Sequence, residues 1–212
     1  MLGGSAALGA YEPGRSDVDV IAVVAEPVAP EALRTLAGRV SQAELPCPAR
    51  QLELVVWRRG SGRPFELNLN TGVERADHVG VDPEAEPTFW FAIDRAIARE
   101  RGRSLLGPPP GELLDEPPRA ELLTALRESL DWHAKHEPDG PDAILNAARA
   151  WRWARTGRWT SKRRAAEWAI GRMSDPSAVA AALAARDAGE RMDPDTVAGA
   201  LAAMRTAIDA AA

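Results

Sequence analysis

Two aspartates with one residue between them stand at the start of an apolar run near the beginning of the chain. Asp17 and Asp19 flank a valine in Ser-Asp-Val-Asp and lead into the valine-rich run 18–25. Residues two apart in a β-strand point to the same face, so both carboxylates project together. Mg²⁺ prefers one or two carboxylates plus phosphate oxygens over a full cage of protein ligands. The spacing therefore predicts a site for a Mg²⁺ ion that arrives with a nucleotide.

A glycine-rich turn comes before this pair. Gly3, Gly4 and Ser5 are consecutive, and Gly9 follows. Glycine has no side chain to block a ligand, so backbone N–H groups and the neighbouring hydroxyl can approach phosphate closely. The turn therefore predicts a phosphate-binding segment that accompanies the metal site.

A further carboxylate, Glu53, alternates with apolar residues in the run 51–57. This alternation gives Glu53 the strand parity expected of a third acidic group in such a site. A single acidic residue in a short strand is also what an ordinary solvated sheet face produces. The residues alone leave both interpretations open.

The segments around these groups predict alternating strands and helices. Valine- and leucine-rich runs bounded by glycine and proline are typical of strands, whereas apolar residues three and four apart are typical of a helix. A loop with several glycines and prolines is expected at 71–88. The predicted strands are 18–25, 51–57 and 64–70, and the predicted helices are 30–44 and 89–102.

The second half of the chain predicts helices only. Proline lacks a backbone donor and restricts its neighbours, so no regular structure is expected in the proline-rich stretch 105–118. The predicted helices beyond it are 119–136, 142–157, 161–173 and a final pair opened by Ser174-Asp175-Pro176 and by Asp193-Pro194. The predicted fold is an α/β N-terminal domain, residues 1–103, followed by an all-helical C-terminal bundle, residues 104–212.

Two histidines, His133 and His136, stand near the end of the first helix of this bundle. Three residues apart, they share a helix face, but no third ligand follows at helical spacing. We expect a solvated helix end there and no metal site.

The composition limits the partners of the chain. A formal net charge of -5 and a pI near 5.3 argue against a protein that binds nucleic acid mainly by neutralising its phosphates. Cys47 is the only cysteine, which excludes an internal disulfide and a cysteine-built zinc site. No apolar run approaches the roughly 20 residues of a membrane span. We expect a cytoplasmic protein with small-molecule partners, and the oligomeric state stays open.

The order of these motifs resembles that of the nucleotidyltransferase superfamily. It consists of Gly4-Ser5, a short spacer, Ser-Asp-x-Asp opening a strand, and Glu53 in a later apolar strand. The second half is similar to the C-terminal helical domain of the aminoglycoside 3''-adenylyltransferases. This likeness lies in Leu-Leu-Gly-Pro at 105–108, Arg-Ala-Trp at 149–151, Gly157, and Ser161-Lys162 followed by Ala165, Ala166 and Trp168.

The resemblance implies a role for each matching residue. Asp17 and Asp19 would hold Mg²⁺, and Glu53 would be the general base on the hydroxyl of the acceptor. The implied nucleotide-binding residues are Gly4, Ser5, Ser16 and Lys162. The implied reaction is transfer of AMP from ATP to a hydroxyl of an aminoglycoside-like molecule, an antibiotic-resistance activity. Such in-line transfer is catalysed by positioning and charge neutralisation, which these groups supply.

Two other functions fit the same residues. One is adenylylation of a partner protein, as in antitoxins of this superfamily, and the other is nucleotide binding without catalysis. The family has a helix and a full strand before the glycine turn, whereas here only Met1 and Leu2 precede Gly3. We therefore expect the N-terminal helix and part of the first strand to be missing, which fits a degenerate protein.

The acceptor is the part of the reaction that the sequence specifies least. Thr71 or Gly72 stands where the family carries a tryptophan, and Thr88 and Trp90 stand where it carries acidic residues. The acceptor therefore need not be streptomycin or spectinomycin. Acidic residues of the first domain would attract a polycation. Those that we expect to do so include Glu66, Asp77 and Asp82.

Overall fold

A four-stranded mixed sheet forms the centre of the first half of the chain. The structure is a computed structural model that describes residues 1–211, apart from the side chain of Arg75. It separates the chain into two units, Met1–Pro117 and Pro118–Ala212. The elements of the first unit are α1 (Gly4–Ala7), β1 (Val18–Val24), α2 (Pro30–Arg39), β2 (Gln51–Arg58), β3 (Leu67–Gly72), β4 (Arg75–Gly80), a 3₁₀ turn (Pro83–Ala85), α3 (Phe89–Arg101) and α4 (Pro110–Leu113).

The strands follow the order β1-β2-β3-β4. β1 and β2 are parallel, with α2 between them in the chain, and the other two pairs are antiparallel. A parallel pair needs such a crossover because no tight turn can join its strands. Residues paired across strands lie on the same face of the sheet. One polar row therefore crosses all four strands, formed by Asp19, Glu53, Asn70 and His78.

Apolar clusters cover both faces of the sheet. On one face α2 packs through Leu33 and Ala37 against Leu54, Val56, Leu67 and Leu69. On the other face a second cluster joins β1 and β2 to α3 and the segment after it, through Ile21, Val55, Trp57, Phe65, Phe91, Ala98 and Leu114. This second face is also the face of the polar row. Its apolar part lies further along β1 and β2, and the charged residues lie where the two strands begin.

Residues 1–3 lie alongside β1 and bring the glycine turn to the sheet. Leu2 forms antiparallel bridges with Val20 on one side and with Arg103 on the other. The N–H of Gly3 donates to the carbonyl oxygen of Asp19 at 2.9 Å. The turn is therefore held next to the first half of β1.

The predicted elements of this unit agree with the structure in part. Strands 18–25 and 51–57 and helix 89–102 are confirmed as β1, β2 and α3. The predicted helix 30–44 ends already at Arg39, where the Ser41 hydroxyl donates to the carbonyl oxygen of Gly38 and so satisfies one of the helix-end acceptors.

The hairpin of β3 and β4 is the largest error of the sequence analysis. The predicted strand 64–70 begins only at Leu67, and β4 lies within the predicted loop. β4 has a partner on one side only and exposes residues such as Val79, which is 42% exposed. An edge strand with little apolar burial lacks the pattern that identifies a strand.

The second unit is all-helical, which confirms the predicted C-terminal bundle. Its α6 contacts each of the other four helices of the unit, and small buried residues along α6 let them approach closely. The Ser161 and Asp193 side chains accept hydrogen bonds from the N–H groups of Arg164 and Thr196 and so cap α7 and α9. The helices are α5 (Arg119–His136), α6 (Pro141–Thr156), α7 (Lys162–Ile170), α8 (Ser177–Ala188) and α9 (Pro194–Asp209).

The division between the units falls later than the domain boundary expected between residues 103 and 104. The Arg99 guanidinium donates to the carbonyl oxygens of Gly111, at 2.5 Å, and Leu114, at 2.8 Å. Leu114 itself belongs to the core of the first unit. These contacts tie the proline-rich stretch to α3.

The expectation of a solvated helix end was wrong for His133. This side chain is 4% exposed, and its ring nitrogens contact Glu137 at 2.8 Å and Asn146 at 3.0 Å. His136 is exposed, as expected. Within the described residues, no helix is both long and apolar enough to cross a membrane.

Candidate active site

The glycine turn and Asp19 are packed against each other. Gly4 has a φ of +47°, and a Cβ on Gly4 would lie 1.9 Å from Oδ2 of Asp19. Glycine is required here for two reasons, because other residues rarely adopt this φ and because any side chain would collide with the carboxylate. The sequence signal of Gly-Gly-Ser before Ser-Asp-x-Asp thus corresponds to direct contact between turn and strand.

Ser5 presents a polar atom that this unit leaves unsatisfied. Its Oγ is buried and has no hydrogen-bond partner among the described residues. A buried hydroxyl without a partner is costly, and in native proteins such a group usually has a water, an ion or a ligand beside it. The position of Ser5 in the turn against Asp19 fits a hydroxyl that meets a phosphate oxygen.

Glu53 lies directly opposite Asp19. The two residues are partners in the parallel register of β1 and β2, so their side chains leave the same face. The amide nitrogen Nε2 of Gln51 donates to Oε1 of Glu53 at 2.8 Å and also lies 3.3 Å from Oδ1 of Asn70. Gln51 thereby fixes the direction of the Glu53 carboxylate.

The polar contacts continue from Glu53 towards the other edge of the sheet. Asn70 donates to Oδ1 of Asn68 at 3.0 Å, and Asn68 donates to Oε2 of Glu86 at 2.6 Å. Oε1 of Glu86 lies 3.1 Å from Nε2 of His78. This network was not predicted from the sequence. Its one signal was the spacing of Asn68 and Asn70, two polar residues on one face of a strand.

Asp17 forms a two-point ion pair with Arg50. Nε of Arg50 lies 3.0 Å from Oδ1 of Asp17, and the second nitrogen lies 3.2 Å from Oδ2. The Asp17 side chain is 23% exposed and that of Arg50 is 45% exposed. Arg50 was not identified from the sequence, because its partner is 33 positions away in the chain.

The carboxylate oxygens at this site are suitable ligands for a divalent cation that also binds phosphate oxygens. Asp17, Asp19 and Glu53 offer hard carboxylate oxygens, which Mg²⁺ prefers. Within the described part of the chain, no three His, Cys, Asp or Glu side chains are arranged to hold a metal ion by themselves. A metal at this face would complete its coordination with water or with oxygens of a bound nucleotide.

Ser16 closes the loop before Asp17. Its buried hydroxyl accepts a hydrogen bond from the N–H of Glu12 at 3.0 Å, and its own N–H donates to the Glu12 carbonyl oxygen at 2.8 Å. These bonds fix the approach of the chain to β1. The role of Ser16 in nucleotide binding stays a prediction.

Lys162 belongs to the second unit, where it sits in a cluster of charges. Its Nζ lies 3.2 Å from Oδ1 of Asp142, and Nε of Arg186 lies 3.3 Å from the same oxygen. Burial acts to raise the pKa of Asp142, but the two cations outweigh it and the pKa is lowered. Asp142 is therefore ionised and holds Lys162 at the start of α7, and the contact of Lys162 with phosphates stays a prediction.

The acidic residues expected to attract a polycation all have partners within the protein. Glu66 is 6% exposed and pairs with Arg58 at 2.9 Å. Asp77 accepts a hydrogen bond from the buried Thr71 hydroxyl, and Asp82 caps the 3₁₀ turn. Asp19 and Glu53 in the polar row, and Glu86 beside it, add further carboxylates. The attraction of a polycation by Glu66, Asp77 and Asp82 stays a prediction.

Comparison with known proteins agrees with this fold. Residues 112–208 match the family described as aminoglycoside adenylyltransferase, C-terminal domain. The chain is 30% identical over 168 residues to a spectinomycin 9-adenylyltransferase of Staphylococcus aureus, covering 73% of this chain and 64% of that protein. It is 29% identical over 173 residues to an aminoglycoside (3'') (9) adenylyltransferase of Rhizobium radiobacter, covering 74% and 64%.

The chain is similar to the aminoglycoside adenylyltransferases, both in its C-terminal half and along about three quarters of its length. Its alignments span 64% of the length of these two relatives. Among solved structures, it resembles the spectinomycin adenyltransferase AAD(9) from Enterococcus faecialis, crystallised with ATP and spectinomycin. The TM-score is 0.69 at 16% identity, with 98% of this chain and 90% of that chain covered. This likeness confirms the predicted fold class, an α/β N-terminal domain followed by a helical domain.

Proposed function

We propose that the chain is a Mg²⁺-dependent adenylyltransferase that transfers AMP from ATP to a hydroxyl of an aminoglycoside-like small molecule. The observation that carries this proposal is the pairing of Asp19 with Glu53 on one face of the sheet, with Gly4 packed against Asp19. Carboxylates for a cation, a carboxylate for a base and a segment for phosphate are the groups that the reaction requires. The relatives named for the same reaction support it.

Each candidate residue of the first unit has a different role in the proposed reaction. The Ser5 hydroxyl donates a hydrogen bond to a phosphate oxygen, which gives its buried Oγ a partner. Asp17 and Asp19 would hold Mg²⁺, which supplies charge neutralisation on the phosphate oxygens. Glu53, held by Gln51, accepts the proton of the acceptor hydroxyl as that oxygen bonds to the α-phosphorus. The bond from the α-phosphorus to the bridging oxygen breaks, and pyrophosphate leaves.

The acceptor class follows from the relatives and from the charge of the polar face. The relatives are named for spectinomycin and for aminoglycosides, which are small polyols that carry amines. Asp19 and Glu53 lie in the polar row, Glu86 contacts Asn68 beside it, and these carboxylates favour a cationic partner. Lys162 is proposed to contact the phosphates from the helical unit, as the family resemblance implies.

The test is transfer of label from α-³²P-ATP in the presence of MgCl₂ and a panel that includes spectinomycin, streptomycin and other aminoglycosides. We expect labelled acceptor with the native chain and none with Asp19→Asn. Glu53→Gln should lower kcat about 10²- to 10⁴-fold, the usual contribution of a general base. Glu44→Gln, an equal change at an exposed loop position, should leave kcat unchanged.

The outcomes separate the competing functions. Label on a co-incubated protein instead of a small molecule would indicate the protein-adenylylating alternative. Binding of ATP without transfer to any acceptor would indicate a protein without catalysis. Full activity in Glu53→Gln would contradict the assignment of the base.

A further inference from the structure

Arg50 lies among the carboxylates of the candidate metal site. It immediately precedes β2, in which Leu52, two residues further along the chain, pairs with Val18 of β1. Its hydrogen bond with Asp17 raises the pKa of Arg50 above its ordinary value, against the opposing effect of burial. The negative charges of Asp17, Glu74 and Glu53 raise this pKa further. A guanidinium stays protonated throughout the physiological pH range, so Arg50 places a permanent positive charge beside the Asp17 carboxylate.

The ion pair engages both oxygens of Asp17. A guanidinium that contacts a carboxylate at two points is the strongest common arrangement of such a pair. A divalent cation bound to the same oxygens would stand next to this positive group, and the two would repel each other. Metal binding and the ion pair therefore compete for one carboxylate.

We infer that Arg50 is a positioning residue that holds Asp17 in the nucleotide-free protein and has to leave this carboxylate before a divalent cation can bind it. This inference rests on the proposed function for the identity of the metal site. Its consequence is an order of binding, in which the cation enters with the phosphates and not alone.

The competition is measurable without catalysis. We would titrate the protein with Mn²⁺ in the absence of nucleotide and count free Mn²⁺ by electron paramagnetic resonance. Arg50→Gln removes the pair and should bind Mn²⁺ up to about fivefold more tightly, since an exposed ion pair of this kind contributes up to about 1 kcal/mol. Arg34→Gln, the same change at an exposed position of α2 on the other face of the sheet, should match the native chain.

A double variant shows whether Arg50 acts through Asp17. In an Asp17→Asn background, adding Arg50→Gln should leave Mn²⁺ affinity unchanged, because the contested carboxylate is gone. If Arg50→Gln raised the Mn²⁺ affinity equally in both backgrounds, Arg50 would act through its charge alone and not through Asp17. That result would overturn the inference. Equal affinity in the native chain and Arg50→Gln, or no Mn²⁺ binding by any variant, would overturn it as well.

Folding is controlled separately. Circular dichroism and thermal melting should be alike for all variants, and Arg50→Lys, which keeps the charge but loses the two-point contact, should bind Mn²⁺ with intermediate affinity. Failure to find any acceptor would count against the proposed function but would leave this Mn²⁺ result interpretable. If the native chain transferred AMP but Arg50→Gln bound Mn²⁺ with the native affinity, the result would count only against the role of Arg50.

Discussion

At the scale of single residues, two of the carboxylates in the candidate site are held by a neighbouring side chain. Asp17 is held by Arg50, and Glu53 is held by Gln51. The types and spacing of the carboxylates were visible in the sequence, whereas their neighbours were not. A glutamine at the start of a strand has no pattern that marks it as a support for a base.

Gln51 provides the first test at this scale. Gln51→Leu keeps the size of a buried side chain but removes the donor to Glu53, so the carboxylate loses its fixed direction. We expect kcat to fall about 10- to 100-fold while the KM for ATP changes little, because misdirection of a catalytic group costs rate more than binding. Steady-state kinetics of the purified variant measure both.

The other glutamine of the chain is the matched control. The Gln42 side chain accepts a hydrogen bond from the N–H of Cys47 in a loop, and Gln42→Leu should leave kcat unaltered. Equal kcat in the native chain and Gln51→Leu would mean that Glu53 needs no support from Gln51.

At the scale of elements, the site depends on the contact of α1 with β1 and on the register of β1 with β2. The order of strand, helix and strand was predictable because each element carries its own apolar period. The register that sets Asp19 against Glu53 was not, since one residue of slip would move every side chain of a strand to the other face. β4 was not predicted, because an edge strand buries few apolar side chains and so lacks the alternating pattern that identifies a strand.

Gly4→Ala tests the contact between α1 and β1. The new Cβ would overlap Asp19 and would also force a left-handed φ, which alone costs about 1–2 kcal/mol for a residue with a side chain. We expect loss of ATP binding, measured by calorimetry, together with a lower melting temperature.

Gly9→Ala separates strain from collision. Gly9 has a φ of +65°, but a Cβ there would meet nothing within 4 Å. This variant should lose similar stability yet still bind ATP. If both variants bound ATP like the native chain, close packing of the turn on Asp19 would not be needed for the site.

At the scale of the whole molecule, the chain consists of two units that each have a core of their own. The second unit surrounds α6 with helices and buries residues such as Ile144, Leu145 and Met204 almost completely. Its charge cluster around Asp142 lies within the same unit. The residues that match the C-terminal family domain, 112–208, include nearly all of it.

We therefore expect residues 118–212 to fold when produced alone. A self-contained apolar core is what independent folding of a domain requires. Far-ultraviolet circular dichroism should show a helical spectrum, and heating should give one cooperative transition. A spectrum of a disordered chain would show that this half depends on residues 1–117.

Sequence patterns alone predicted most of the elements, a shared face for Asp17 and Asp19, and the need for glycine near them. These are local properties, fixed by the period of the strand and by the backbone of a few neighbouring residues. The tertiary structure decided that Arg50 holds Asp17, that Glu53 faces Asp19, and that His133 is buried. These contacts join residues far apart in the chain, and they arise only when the strands take one register and the helices pack in one arrangement.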